Sequence, residues 1–319
     1  MPAAAPLSLV ADIGATNTRI ALARGRSLLS GALRRYRNAD HASLQDILRT
    51  FLEDTGARPA AACLALAGPV HDGVGHMTNI DWNIDLPTLK RATGVARAGL
   101  LNDLQAHGYA LAALPGGALR QIRPGQPAAE GATRLVIGIG TGFNSATVYT
   151  GPGGRYATAS ETGHVSLPCF SAADLDMARQ ISGGTRHATV EDALSGPGLE
   201  RLHGWLTTHA GTPHAASAPE IMAGATAGEP AARETLRLFV RILGTVAGDL
   251  ALATLPFGGI YLAGAVGRAV APHLAGYGFA EAFADKGRFA DLMAAFPILV
   301  IEEDAAALTG CAAYLAETG

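Results

Sequence analysis

Lysine is almost missing from this chain: of the 24 lysine and arginine side chains, only Lys90 and Lys286 are lysines. Neither follows a strand that ends in a glycine turn, and no G-x-x-x-x-G-K-[ST] occurs, so a Walker-type lysine cannot hold a phosphate here. Cysteine is scarce too. Cys63, Cys169 and Cys311 are odd in number, far apart and without a CxxC pair, which indicates neither structural zinc nor a disulfide framework. Idle thiols in a reducing cytoplasm are the expectation. Only 16% of residues are charged, the net charge is −3, and no block of basic residues offers a track for a phosphate backbone, so no nucleic-acid partner is expected. The apolar run Leu250–Ala265 is broken by Pro256 and Gly258-Gly259 and predicts no membrane span. Met1 to Pro6 lacks a charged leader region, so no secretory signal is expected and the location read from the sequence is cytoplasmic. No G-x-S-x-G elbow of a serine hydrolase is present.

What is present is a globular, mildly acidic chain of 319 residues, almost half of them apolar, long enough for two domains. One pattern occurs twice. Leu9–Ile13 runs into Gly14-Ala15-Thr16-Asn17 and re-enters an apolar strand at Arg19–Ala23; Leu135–Ile139 runs into Gly140-Thr141-Gly142 and re-enters at Ala146–Tyr149. Small residues let backbone N–H groups approach an anion, and threonine adds hydroxyls, so a pair of such hairpins can grip a polyphosphate. Each alone reads equally as an ordinary tight hairpin. Asp12, ending the first strand, can hold a hydrated Mg²⁺, which needs only one or two carboxylates beside waters and phosphate oxygens. Gly138-Ile139-Gly140 starts a G-x-G-x-x-G, but Phe143 ends it and a strand follows, which disfavours a dinucleotide site.

Apolar runs predict strands at about 7–13, 18–24, 60–67 and 97–101, and Ser43 opens a helix with the stripe Leu44, Ile47, Leu48, Phe51. A second helix follows Asn102-Asp103, and the first lobe breaks at Leu114-Pro115-Gly116-Gly117. Beyond the second hairpin come helices near 171–182, 197–209, 219–227 and 229–254, strands at 260–263 and 297–301, and a terminal helix Ala305–Leu315 that can fold back on the first lobe. The domain reading is therefore 1–116 joined by 303–319, and 117–302.

Asn102-Asp103 sits where open α/β sheets place ligands, and an ionised Asp103 can accept a proton from a hydroxyl attacking a phosphoryl group. From these two residues alone a helix N-cap is the better reading. Glu161 and His164, three apart, can hydrogen-bond neighbouring hydroxyls of a polyol or belong to a solvated loop; no third histidine or cysteine at matching spacing supports a metal. Glu191 precedes a turn into a helix at Leu194–Leu199, as a further acceptor or a surface charge.

Taken in order, these segments resemble the bacterial glucokinase family, the hexokinase-like branch of the actin-like ATPases. Asp12–Asn17 is similar to its first phosphate motif, Leu101-Asn102-Asp103 to its sugar-and-base motif, and Gly138–Gly142 to its second phosphate motif. Glu161-Thr162-Gly163-His164 is similar to its E-G-G-H element. Glu191 with Leu194–Leu199, then Gly258–Gly264, resemble the last sugar contact and the adenosine motif; Met77-Thr78-Asn79 and Asp285–Phe289 match as well. The resemblance implies an α/β fold of two ribonuclease-H-like lobes, mixed sheets flanked by helices, with the active site in the interlobe cleft. It implies an ATP- and Mg²⁺-dependent kinase making glucose 6-phosphate, with Asp103 as base and Asn79, Asn102, Glu161, His164 and Glu191 as sugar ligands. Phosphates would contact Asp12, Gly14, Ala15, Thr16, Asn17, Gly140, Thr141 and Gly142, and adenosine would lie near Gly264. A homodimer is implied too.

Four positions depart from the family pattern: Ala15, Asn144 (after Phe143), Thr162 and Ala265 each stand where glycine is usual. They leave the sugar set intact and bear on the nucleotide side. A kinase for another hexose or an aminosugar is the nearest rival, and a catalytically weak sugar-binding regulator the rival of another class. The cysteine-rich zinc motif of the related repressor/open-reading-frame/kinase proteins is absent, and no helix-turn-helix precedes Leu7, so a regulator of that type is not expected.

Overall fold

The computed structural model describes residues 5–77, 80, 82–185 and 187–318, and divides the chain into two compact units. The first comprises the chain up to Ala118, the segment Val148–Ala159 and the end from Glu303; the second comprises Leu119–Thr147 and Ser160–Glu302.

In the first unit, β1 (Leu7–Ile13), β2 (Asn17–Arg24), β3 (Ser27–Leu28), β4 (Arg34–Arg37), α1 (Leu44–Thr55) and β5 (Ala61–Leu66) lead to a small meander of β6 (Val70–His71), β7 (Val74–His76) and β8 (Asn83–Asp85). Then come α2 (Leu86–Thr93), β9 (Arg97–Asn102) and α3 (Asp103–Ala110). The sheet order is β3-β2-β1-β5-β9, with β4 also on β2. β1 pairs antiparallel with β2 but parallel with β5, which pairs parallel with β9. Central parallel strands are covered on both faces, hence the unbroken burial of β5. Leu44, Ile47, Leu48 and Phe51 of α1 are buried in one core cluster with Leu9, Ala11, Ile13 and Leu64. Ser43 caps α1 by accepting from the Asp46 N–H at 3.2 Å, and Gly56 ends it at φ 60°.

The second unit holds β10 (Leu119–Arg123), β11 (Arg134–Ile139) and the first half of β12 (Phe143–Gly151); β13 (Gly154–Ala157) pairs with the second half of β12 in the first unit. It continues with α4 (Ala172–Ile181), α5 (Val190–Ala193), α6 (Gly196–His209), α7 (Ala218–Ala227) and α8 (Pro230–Thr254), then β14 (Ile260–Ala263), α9 (Ala265–Val270), α10 (Phe279–Ala284) and β15 (Ile298–Ile301). β11, β14 and β15 run parallel side by side, β10 pairs antiparallel on β15, and β12 flanks β11. Each unit therefore repeats one scheme, a hairpin whose first strand heads a parallel run. Lys286 is spent on structure, giving its ammonium to Asp249 Oδ1 at 2.8 Å and to the Thr245 carbonyl at 3.1 Å.

The chain returns to the first unit through α11 (Ala306–Glu317), which packs on α3, β1 and β5. The grouping of Val148–Ala159 with this unit differs from the sequence reading, which assigned it to the second. The reason is local: Gln105 of α3 donates to the Ala157 carbonyl at 2.9 Å, and Arg155 pairs with Glu317 of α11 at 2.9 Å.

A buried histidine in the second unit supplies a stability prediction. His203 of α6 is 3% exposed and its Nδ1 lies 2.9 Å from Thr235 Oγ1, which itself donates to the Ala231 carbonyl. Nδ1 therefore carries the proton, and Nε2 is a buried acceptor with no hydrogen-bond partner among the described residues. Burial lowers the His203 pKa, His214 lowers it further and Glu229 opposes. The unfolded chain then binds more protons than the native one, so this stability is present above the ordinary histidine pKa of about 6.5 and is lost as pH falls below it. Urea midpoints measured at neutral pH and toward pH 5 should fall with pH, and His203→Asn, which keeps the donor to Thr235, should flatten the slope. An unchanged slope refutes the assignment.

Candidate active site

The register of the first sheet decides what its loops share. Ile13 pairs with Leu66 and Leu66 with Asn102, so the turn after β1 and the pair Asn102-Asp103 leave the same strand-end edge. Ligands of open α/β sheets bind at such carboxyl ends.

The first turn is pinned from below. Gly14 N–H donates to the Asn17 carbonyl at 3.0 Å. The buried Asn38 donates through Nδ2 to the carbonyls of Gly14 at 2.8 Å and Ala15 at 3.1 Å, while its Oδ1 accepts from Thr18 Oγ1 at 2.8 Å. Its N–H donates to the Thr16 carbonyl at 2.9 Å. Turning these carbonyls inward leaves the outer side of the turn for an anion, and Thr16 is exposed there. Asn38 was missed from sequence because it lies after β4, outside any motif; its only signal is a polar residue following a strand that pairs with β2. Ala15 is absent from the residues with positive φ, so its methyl costs no backbone strain.

Asp12 is not a bare carboxylate. Arg19, its cross-strand partner, donates Nε to Asp12 Oδ2 at 3.1 Å, makes a second contact to the same oxygen through its terminal nitrogen, and gives its other terminal nitrogen to the Asp304 carbonyl at 2.8 Å. Among the described residues no group of three or more histidine, cysteine or acidic side chains is placed to hold a metal. A lone carboxylate with one oxygen shared by arginine suits an ion that keeps most of its waters and arrives on nucleotide phosphates, which fits Mg²⁺ and no dedicated protein cage.

Asn102 is the N-cap of α3, as the residue types alone suggested. Its Oδ1 accepts from the N–H groups of Leu104 at 2.8 Å and Gln105 at 3.3 Å, and Gln105 Oε1 returns a bond to the Asn102 N–H at 3.0 Å. Its Oδ1 is thus committed to the helix, and only Nδ2, 3.5 Å from the Gly68 carbonyl, is turned to other uses. Asp103 is half-buried at the first position of α3, with Oδ1 accepting from the Leu104 N–H at 2.8 Å. Partial positive charge at a helix N-terminus favours its anion. Asn79 lies outside the described residues.

The second unit assembles the other motifs around one carboxylate. Gly140 N–H donates to the Gly142 carbonyl at 2.9 Å, and the Gly140 carbonyl accepts from the Gly196 N–H at 2.8 Å, which ties the turn to the start of α6. Glu191 Oε2 accepts from the Phe143 N–H at 2.8 Å. A Cβ on Gly163 would lie 2.0 Å from the Phe143 carbonyl, so that glycine is required by close backbone approach, while one on Gly142 would lie 2.5 Å from the Glu191 oxygen and would displace that carboxylate. Glu191, the Gly140–Gly142 turn and the Glu161–His164 segment therefore meet. Glu161 reaches solvent, yet partial enclosure raises its carboxyl pKa; His164 lowers it and Glu191 raises it again. Thr141 is exposed at the turn tip. Gly264, at φ 86°, presses on β11, where a Cβ would lie 2.3 Å from the Ile139 carbonyl, while Ala265 is simply the first residue of α9 and needs no glycine.

Comparison with known proteins decides the family. The Glucokinase family model matches residues 9–318. The chain belongs to the glucokinase family. A curated glucokinase of Caulobacter sp. (strain K31) is 34% identical over 98% of this chain and 96% of its own length. One of Chromobacterium violaceum is 35% identical over 97% of this chain and 89% of its own. The crystal structure of glucokinase from an Antarctic psychrotroph superposes with a TM-score of 0.84 at 31% identity, covering 97% of this chain and 98% of that one. The family fold, mixed sheets flanked by helices in the manner of actin-like ATPase sugar kinases, is the fold seen here.

Proposed function

We propose that the chain transfers the γ-phosphoryl group of ATP to the 6-hydroxyl of glucose, giving glucose 6-phosphate and ADP. The observation that carries this reading, beside family membership, is the register that sets the Gly14–Thr16 turn and Asp103 on one sheet edge. Asp103 takes the proton of the 6-hydroxyl as its oxygen bonds to the γ-phosphorus and the bond to ADP breaks. Asn102 through Nδ2, Glu161, His164 and Glu191 hold the remaining hydroxyls, with Asn79 as a further sugar ligand. Ala15, Thr16 and Asn17 in the first unit, and Thr141 and Gly142 in the second, supply N–H and side-chain donors to the phosphates; Gly14 and Gly140, whose N–H groups close their own turns, line the phosphates with backbone, and Gly264 lies toward adenosine. Asp12 would hold a hydrated Mg²⁺, whose charge would offset that of the phosphates.

A coupled assay with Mg-ATP and a panel of hexoses and aminosugars tests the proposal. Glucose should give the highest kcat/KM. A better aminosugar or epimer would replace the substrate, and sugar binding without turnover would make the chain a regulator. Among the described residues no helix is long and apolar enough to cross a membrane. We further propose a cytoplasmic homodimer feeding glycolysis; light scattering at the mass of a single chain would refute the dimer.

A further inference from the structure

Two of the family-atypical residues, Asn144 and Thr162, belong to one hydrogen-bonded cluster. Asn144 lies in β12 with a negative φ, so its presence is not explained by backbone conformation. Its side chain is instead saturated by the segment that carries Glu161. Nδ2 donates to the Ser160 carbonyl at 2.6 Å and approaches Glu161 Oε2 at 3.4 Å. Oδ1 accepts from the N–H groups of Ser145 at 2.8 Å and Thr162 at 3.1 Å, with the Ser160 and Thr162 hydroxyl oxygens 3.1 and 3.3 Å away. Ser145 completes the set: Thr162 Oγ1 donates to its Oγ at 2.9 Å, and Ser160 Oγ to its carbonyl at 2.6 Å. Glycine at 144 would delete every bond of the carboxamide, and glycine at 162 would delete those of the hydroxyl.

We propose that Asn144 is a positioning residue for sugar binding, a polar clamp that sets the Ser160–Thr162 turn and orients the Glu161 carboxylate toward the sugar. The proposal rests on Glu161 being a sugar ligand. Where the usual glycine leaves this turn to its own conformational freedom, the carboxamide joins it to the strand that follows the second phosphate turn. The turn bonds of Asn144 at 2.6–3.1 Å fix the backbone, and the longer contact to Oε2 selects among orientations of the glutamate. Because the clamp acts on the sugar ligand and not on the Gly140–Gly142 donors, its loss should separate the two substrates kinetically.

The test uses the full chain with glucose and Mg-ATP. Asn144→Gly should raise the glucose KM about tenfold, the effect of about one charge-assisted hydrogen bond, while kcat and the ATP KM stay within about twofold. Thr162→Gly should raise it less, and the double variant should fall short of the product of the two, since they share bonds. Asn144→Asp keeps the shape but replaces a donor by a carboxylate. Together with Glu191 it should hold Glu161 protonated to higher pH against the pull of His164, moving the acid limb of the glucose kcat/KM profile upward. An unchanged glucose KM in Asn144→Gly, or equal rises for glucose and ATP, overturns the proposal. Asn144→Asp with an unmoved acid limb does the same, even where the glycine variant fails to fold. Glu161→Gln separates the causes. A raised glucose KM there with a silent Asn144→Gly refutes the clamp alone, and an unchanged one refutes the sugar-ligand reading and the clamp with it.

Discussion

Asp103→Asn is expected to lower kcat by about 10³-fold, within the range assigned to a positioned general base, and to leave glucose binding within a fewfold of the parent. The substitution is nearly isosteric, and the first position of α3 tolerates it because the cap is made by the Asn102 side chain and returned by Gln105. What is lost is the capacity to accept the hydroxyl proton while the phosphoryl group transfers. Glucose affinity, read by calorimetry without nucleotide, should hold because the other ligands remain. Turnover above about a tenth of the parent would remove Asp103 from the role of base, and a parallel collapse of glucose affinity would make it a binding group. The comparison belongs with a chain shown by its melting curve to be folded.

The pair Asn102-Asp103 shows how far residue types alone reach. Capping and catalysis both predict the same two letters, and the structure contains the cap. A base role for Asp103 is compatible with it, since the cap uses Asn102 Oδ1 and leaves the aspartate at the start of the helix. The long strands and amphipathic helices were legible because burial repeats along them: the stripe of α1 and the apolar runs of β1, β5 and β11 are local signals. The meander β6–β8 and the short helices α5, α9 and α10 were not foreseen, because two- to six-residue elements have too few positions to show a period. The hairpin end of β12 with β13 was foreseen as strand and grouped by sequence with the second unit, whereas its bonds to α3 and α11 group it with the first.

The four replaced glycines divide on physical grounds that no spacing reveals. Ala15 and Ala265 occupy ordinary backbone, so their methyl groups change little. Asn144 and Thr162 make new bonds to one another. By contrast Gly163 and Gly264 are fixed by backbone contacts too close for a Cβ. Two of the atypical positions therefore meet on the segment beside Glu161, a grouping that motif spacing does not reveal. Arg19 on Asp12 was equally hidden: seven residues apart in sequence, they face each other because β1 and β2 pair in register.

Gly310→Ala should be the most destabilising single-methyl change in the first unit. Gly310 lies in α11 where a Cβ would stand 1.7 Å from the Ala106 carbonyl and 2.5 Å from its carbon, both backbone atoms of α3 that no side-chain rotation can clear. The two helices must separate, and Leu308, Cys311 and Ala312, all buried, must lose packing with them. Overpacking of this kind costs about 3 kcal/mol, which for a unit of this size lowers Tm by about 10 °C. The same shift would carry α3 and the aspartate at its start out of place, and a displacement near 1 Å can cost about a hundredfold in rate. Gly204→Ala provides the contrast: it lies in α6 with nothing within 4 Å of a new Cβ, so the methyl should be neutral or raise stability by about 0.5–1 kcal/mol. Differential scanning calorimetry and kcat measured on both variants decide the matter. A Gly310→Ala protein melting with the parent would mean that α11 does not hold α3 as tightly as the backbone contact requires.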